Sequence, residues 1–285
     1  EVMGNLENVM SGILHGASFL DEKTEEFLLH KYNIKSDTQI LELLVYMGDI
    51  FEEKSKRKRQ ELSLLLENEK RLQFCMVDLV YEKSILVLIY GYSNRQELER
   101  WYQNCILLQK RDVTERRISY GMIEVTGIKD IREGYQQLMP YMDWTIVLGD
   151  DVLISYPKTT KIQTEVCVYP VDLENRLKIA ICTGEKEKVK KVVQKFEAYF
   201  SGGKVFLPKE IKESYVRFLW AFLNIAKEVN SIAYKEIDQR VLLNEIMSAK
   251  TAHELNVCCN QLLEKIKEED NEFEVINLAV KKAQG

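Results

Sequence analysis

Ile40-Leu41-Glu42-Leu43-Leu44-Val45-Tyr46-Met47 is a short, nearly continuous apolar run, the pattern of a strand buried on both faces. A charged helical stretch follows, roughly Phe51 to Lys70. Two β-rich runs come next, Phe74–Val80 and Ile85–Tyr90, and the four residues Tyr81-Glu82-Lys83-Ser84 between them predict a hairpin. Ser93-Asn94-Arg95-Gln96-Glu97 offers a capped helix start, with Asn94 accepting from a first-turn amide and Glu97 reaching back. Leu98, Trp101, Tyr102, Cys105 and Leu108 then fall on one helical face. A strand at about Arg117–Val125 completes the order β-α-β-β-α-β. The expected class is α+β, with a ferredoxin-like antiparallel sheet carrying its helices on one face. A helix at Ile128–Met142 and a short strand at Val152–Tyr156 are appended.

The flanks read as helical. Leu6, Val9, Ile13 and Leu14 recur at helical spacing, and Phe19–Tyr32 is rich in Glu and Lys, so residues 1–36 form a helical entry segment. The mixed domain spans 37–157, and the polar stretch Pro157–Glu165 is a linker. An all-helical domain is expected over 166–285. Leu173, Leu177 and Ile181 mark its first helix, ended by Gly184. Val189, Val192, Val193, Phe196 and Phe200 mark the second, stopped at Gly202-Gly203. Pro208 opens the third, whose stripe is Ile211, Tyr215, Phe218, Phe222 and Ile225. Leu219, Trp220 and Leu223 widen that stripe, which predicts a helix buried on several sides. Further helices are expected around Ile237–Met247 and from the capping-box start Thr251-Ala252-His253-Glu254.

Composition narrows the function classes. The 285 residues are 46% apolar and 30% charged, which is ordinary for a globular chain and excludes a fibrous or disordered one. The net charge of −5 lacks the basic excess of a module that docks on duplex nucleic acid. Six cysteines without CxxC pairs are neither a disulfide framework nor a zinc site, and point to a reducing, cytoplasmic compartment. No apolar run approaches the roughly 20 residues of a membrane span. The sequence opens on Glu1 and reads as a piece of a longer protein.

No segment carries chemistry by itself. His15, His30 and His253 have no ligand-spaced partner and suit surface or capping roles. The neighbours Cys258-Cys259 sit between Leu255 and Leu262 at core spacing. Lys54-Ser55-Lys56-Arg57-Lys58-Arg59 is flanked by Glu52, Glu53 and Glu61, and predicts a solvated, ion-paired helix face. Ser201-Gly202-Gly203-Lys204 lacks the spacing and hydroxyl of a phosphate loop, and Asp150-Asp151 reads as a turn. No catalytic, metal or cofactor residue is assigned.

Ile118-Ser119-Tyr120-Gly121, then Ile131, Tyr135 and Leu138, then Gly149, then Ile154-Ser155-Tyr156 follow an order that resembles a degenerate GGDEF-like domain. Tyr169-Pro170-Val171-Asp172-Leu173-Glu174, with Leu177, Ala180-Ile181 and Gly184-Glu185-Lys186-Glu187, is similar to the segment that follows in such proteins. Ala249-Lys250-Thr251-Ala252-His253-Glu254-Leu255 resembles one of their later helix starts. The chain thus resembles YesN-like bacterial transcription regulators of the AraC type. In these, a phosphoacceptor receiver or a membrane-anchored sensor lies upstream, and a pair of helix-turn-helix motifs follows. Two residues depart from the pattern: Gly134 stands where the family has Ser, and Pro140 where its helix continues.

The resemblance implies a regulatory, signal-transmitting region, an element with two states biased by an input. An active diguanylate cyclase places glycines and metal-holding acids at the hairpin tip. Here no glycine occurs between Gly48 and Gly91, and Asp49 near the metal position has no partner acid, so no catalysis is expected. The expected partners are the protein's own receiver or sensor and its helix-turn-helix domain, with DNA reached only through the latter, and a second copy of the chain. Val280–Gly285 reads as the lead-in to that DNA-binding domain. The alternative reading is a small-ligand sensor in a transcription regulator.

Overall fold

The computed structural model describes residues 5–17, 20–106, 117–150, 152–229 and 237–266. Leu108, Asp151 and the closing stretch from Val280, all used in the sequence reading, lie outside them. The chain divides into two compact units, Glu1–Ile162 and Gln163–Gly285. It is a mixed α and β protein with a five-stranded mixed sheet.

In the first unit the apolar run is the middle strand, β1 (Gln39–Tyr46), buried from Ile40 onward. It pairs antiparallel with β3 (Ser84–Tyr90) on one side and β4 (Ser119–Thr126) on the other, so that Leu43 faces both Val87 and Met122. β2 (Gln73–Leu79) pairs antiparallel with β3, and β5 (Leu153–Ser155) lies parallel to β4. The spatial order is β2-β3-β1-β4-β5. The four strands of the β-α-β-β-α-β order thus pair antiparallel throughout, as read from the sequence, and the appended strand β5 makes the sheet mixed. A helical crossover separates β4 from β5, and such a connection returns the chain in the same direction.

Both faces of the sheet are covered, not one. Leu41, Leu43 and Val45 share a core with α3 (Phe51–Glu67), through Leu62 and Leu66, and with α4 (Arg95–Cys105), through Leu98 and Tyr102. Alternation sends Ile40, Glu42 and Leu44 to the opposite face. There α5 (Ile131–Tyr141) packs on β4 and β1, and α1 (Leu6–Leu14) packs on β2 and α5. Strands that are apolar on both sides require this second layer. α2 (Glu22–Tyr32) is joined to α1, with the Leu6 amide donating to the Tyr32 hydroxyl at 3.2 Å.

α5 is shorter than the predicted Ile128–Met142. One 3-10 turn precedes it at Ile128–Asp130, and another follows at Met142–Trp144, with Pro140 inside its last turn. Close approach to the sheet depends on Gly121: a Cβ there would stand 2.3 Å from Met142 Sδ. A four-residue helix, α6 (Thr145–Leu148), then leads toward β5.

The described elements of the second unit are five helices, α7 (Val171–Cys182), α8 (Lys186–Tyr199), α9 (Pro208–Glu228), α10 (Gln239–Ser248) and α11 (Ala252–Glu264). Pro208 occupies the first turn of α9, where its missing N–H costs nothing. Thr251 accepts from the Glu254 amide and the Glu254 side chain accepts from the Thr251 amide, a complete capping box on α11. Phe196, Phe218 and Phe222 are fully buried, with Tyr215 beside them. One residue of α9 departs from the expectation of burial all round: Trp220 is 44% exposed. Periodicity had put it among core residues, but the neighbours of α9 leave that side open.

Candidate functional site

The resemblance directs attention to the β2–β3 turn. It occupies Val80–Lys83, one residue ahead of the predicted position, because Ser84 already pairs with Tyr46 and Leu79 as the first residue of β3. Val80 and Tyr81 are exposed at its tip. Lys83 takes a left-handed φ of 50°, and its carbonyl accepts from the Met47 amide at 3.0 Å. Glu82 accepts from the hydroxyl of Tyr135 on α5, so its carboxylate is engaged away from the tip. Asp49 lies on the 3-10 turn after β1 and pairs with Arg117 at 3.3 Å, with most of its side chain in solvent. The two acids serve different partners. Among the described residues no group of three or more His, Cys, Asp or Glu could hold a metal ion.

His15 Nδ1 lies 2.8 Å from the Ser11 carbonyl at the end of α1, His30 is in the last turn of α2, and His253 is in the first turn of α11. Cys258 and Cys259 are buried, and burial pushes the Cys258 thiol up to about 12, far from reactive thiolate character.

The basic cluster on α3 is not wholly a solvated face. Arg57 pairs with Glu61 at 2.9 Å as expected. Lys58, however, is buried, with its ammonium 5.7 Å from the centroid of the Tyr120 ring. Arg59 bridges Glu7 of α1 at 3.0 Å and Asp78 of β2 at 2.8 Å. Charge pattern along a helix cannot reveal this, because long basic side chains bury their stems while their heads find partners elsewhere.

The residue that sequence reading passed over is Glu42. It is fully buried in the middle of β1, and among the described residues neither carboxyl oxygen has a hydrogen-bond partner. Burial alone pushes its pKa from the usual carboxyl range up to about 9, which favours the protonated, neutral form. α5 lies directly over it. A Cβ on Gly134 would stand 2.7 Å from Glu42 Oε1 and 2.4 Å from Val125 Cγ1, so any larger residue must displace these side chains for the helix to settle here. A signal was available: Glu42 is the only charged residue between Asp37 and Asp49.

Beside this seat is a cleft of about 450 Å³, lined by Ile123–Thr126 of β4, by Asp130, Glu133, Gly134 and Gln137, and by Arg95, Tyr156 and Pro157. β5 ends at Ser155, so this part of β4 has no strand on its outer side. Its polar groups are largely engaged with one another. Arg95 donates to the Tyr156 carbonyl at 2.6 Å, to Ser155 Oγ at 2.9 Å and to Glu99 at 3.2 Å. Tyr92 donates to Glu124 at 2.6 Å, and Gln137 donates to Glu133 at 3.0 Å. Burial raises the Glu99 carboxyl, but Lys158 and Arg95 outweigh it and hold the group below the usual range. These bonds fasten the chain after β5 to α4. They do not aim a nucleophile or base at an open position.

No family model, no curated protein and no solved structure matches the chain.

Proposed function

We propose that this chain is a non-catalytic, signal-transmitting region of an AraC-type transcription regulator, with a degenerate GGDEF-like domain of ferredoxin-like order followed by a helical domain. The observation that carries the reading is the chain order strand–helix–strand–strand–helix–strand in a sheet of spatial order β2-β3-β1-β4, combined with a hairpin tip without glycine. That arrangement keeps the framework on which a cyclase presents its hairpin and omits the groups that would admit nucleotide phosphates. Glu82, in the turn, is bound to Tyr135, and Asp49, after β1, to Arg117. Contact with DNA belongs to a helix-turn-helix domain elsewhere in the protein, consistent with the net charge of −5 here. The test is to delete the codons for residues 37–285 in frame and compare transcripts with the parent and with a full deletion. The proposal expects the internal deletion to change the same genes as the full one; an unchanged transcript profile contradicts it.

A second reading, a small-ligand sensor, is favoured by a different feature of the first unit. A cleft of about 550 Å³ lies between α2 and the entry to β1, lined by Leu20, Leu28, Leu29, Ile34 and Ile128. The ion pair Lys129–Glu25, at 3.2 Å, joins two of its lining residues. Its size and mixed lining suit a small molecule. A thermal-shift screen of metabolites separates the readings, because a ligand that binds only the folded state raises the apparent stability.

A further inference from the structure

Among the described residues the carboxyl of Glu42 has no hydrogen-bond partner. Across the sheet its neighbours are Leu88 of β3 and Ile123 of β4, and Gly134 of α5 closes over it. The ionisable groups on the surrounding elements are engaged elsewhere. Glu7 of α1 pairs with Arg59, and Tyr135 of α5 bonds Glu82. Glu133 accepts from Gln137, and Arg132 lies near Gly16. Cys75 and Tyr90, on the same face of the sheet, interact with each other and with Glu7, Arg59 and Tyr32. Asp130, just ahead of α5, lines the outer cleft, and His15, just past the end of α1, bonds the Ser11 carbonyl. None of them acts on Glu42, whose ionisation feels burial alone.

A carboxylate held without donors or counter-ion in such a place costs far more than a neutral acid, so its ionisation requires that water reach it. The element in the way is α5, which meets Glu42 at a glycine and presents no donor side chain there. We propose that Glu42 is a proton-controlled latch on α5: with the proton in place the helix seats on the sheet at Gly134, and loss of the proton lifts the helix from it. α5 runs on through Met142–Trp144 and α6 to β5, so lifting it also loosens the strand at the sheet edge. This inference stands apart from the proposed function and needs none of it.

The linkage fixes the direction. Seated, the carboxyl titrates near 9; exposed, it returns to the ordinary value of about 4.3. Between these values each opening releases one proton, so the opening equilibrium rises about tenfold per pH unit and levels off above the upper value. Low pH favours the seated helix.

Hydrogen–deuterium exchange on the whole 285-residue chain, corrected for intrinsic rates over about pH 6 to pH 10, tests this. The amides of α5 are followed, with those of α3 on the opposite face as the internal reference. The expected result is α5 opening that grows about tenfold per pH unit up to about pH 9, with α3 flat, and a flat α5 profile in Glu42→Gln. Glu42→Leu serves the same purpose should the amide variant fold poorly. A flat α5 profile in the parent, a slope that survives in both variants, or α3 and α5 rising together would overturn the latch.

Discussion

The ring of Phe218 lies flat on that of Phe196, with centroids 3.8 Å apart and planes at 8°, joining α9 to α8 at the centre of the second unit. Tyr215 meets Phe196 edge-on at 5.0 Å, and its hydroxyl donates to Asn256 of α11 at 2.8 Å. One turn beyond Phe218, Phe222 is also fully buried. Phe222→Ala should therefore cost about 3–5 kcal/mol in chemical denaturation, the usual range for a large buried aromatic. A near-neutral effect on folding, with lost self-association in light scattering, would instead make that side of α9 a contact surface.

Glu42→Leu should stabilise the protein, and the gain should depend on pH. The folded-state pKa of Glu42 is raised to about 9. Its contribution to stability is thus complete below the unfolded value and is lost as pH rises through the folded one. Urea titrations should show the difference between variant and parent widening by about 1.4 kcal/mol per pH unit, reaching about 4 kcal/mol near pH 7.5. A difference that stays constant from about pH 5 to about pH 8 would mean that the carboxyl is hydrated or paired in solution.

Gly134→Ala tests the seat from the other side. Alanine favours a helix over glycine by about 1 kcal/mol. Here the added methyl would meet Val125 Cγ1 at 2.4 Å and Glu42 Oε1 at 2.7 Å. Overpacking of this kind costs roughly 1–3 kcal/mol, so the net change in urea denaturation should be destabilising. Val125→Ala in the same chain should recover part of the loss. A stabilised Gly134→Ala variant would show that α5 does not rest on the sheet at this point.

The strands were legible because hydrophobic alternation and turn residues act locally: β1, the hairpin and the Asn94-capped start of α4 lie within a few residues of their sequence-derived positions. Asn94 accepts from the Gln96 amide at 2.8 Å, and α4 begins at Arg95. That β1 must be covered on both faces was legible in its continuous apolar run; which elements supply the second layer was not. α1 carries only Leu6, Met10, Ile13 and Leu14 inward, and nothing in nine residues says which face of which sheet they will cover. The parallel pairing of β5 is likewise a property of the crossover and not of Leu153-Ile154-Ser155. Glu42 escaped notice because an apolar run tolerates one charge when only the run is weighed. The isolation of that charge between Asp37 and Asp49 marks it in the sequence, and Gly134 packed against it shows what the fold does with it. The exposure of Trp220 has a similar origin, since an apolar stretch records what could be buried and not what neighbours are present.

Incubation with GTP and Mg²⁺ or Mn²⁺ should give no cyclic dinucleotide. The Val80–Lys83 turn has no glycine to bring phosphates against the backbone, and Asp49 is held by Arg117. Product above a no-protein control that disappears in Asp49→Ala would restore an enzymatic role.

The central claim is that the chain passes a signal to a transcriptional output without chemistry of its own. Transcript profiling of a strain carrying an in-frame deletion of residues 37–285, beside the parent and a full deletion, measures this most directly. The prediction is that both deletions change the same set of genes. A profile indistinguishable from the parent in the internal deletion, alongside an altered one in the full deletion, would contradict it.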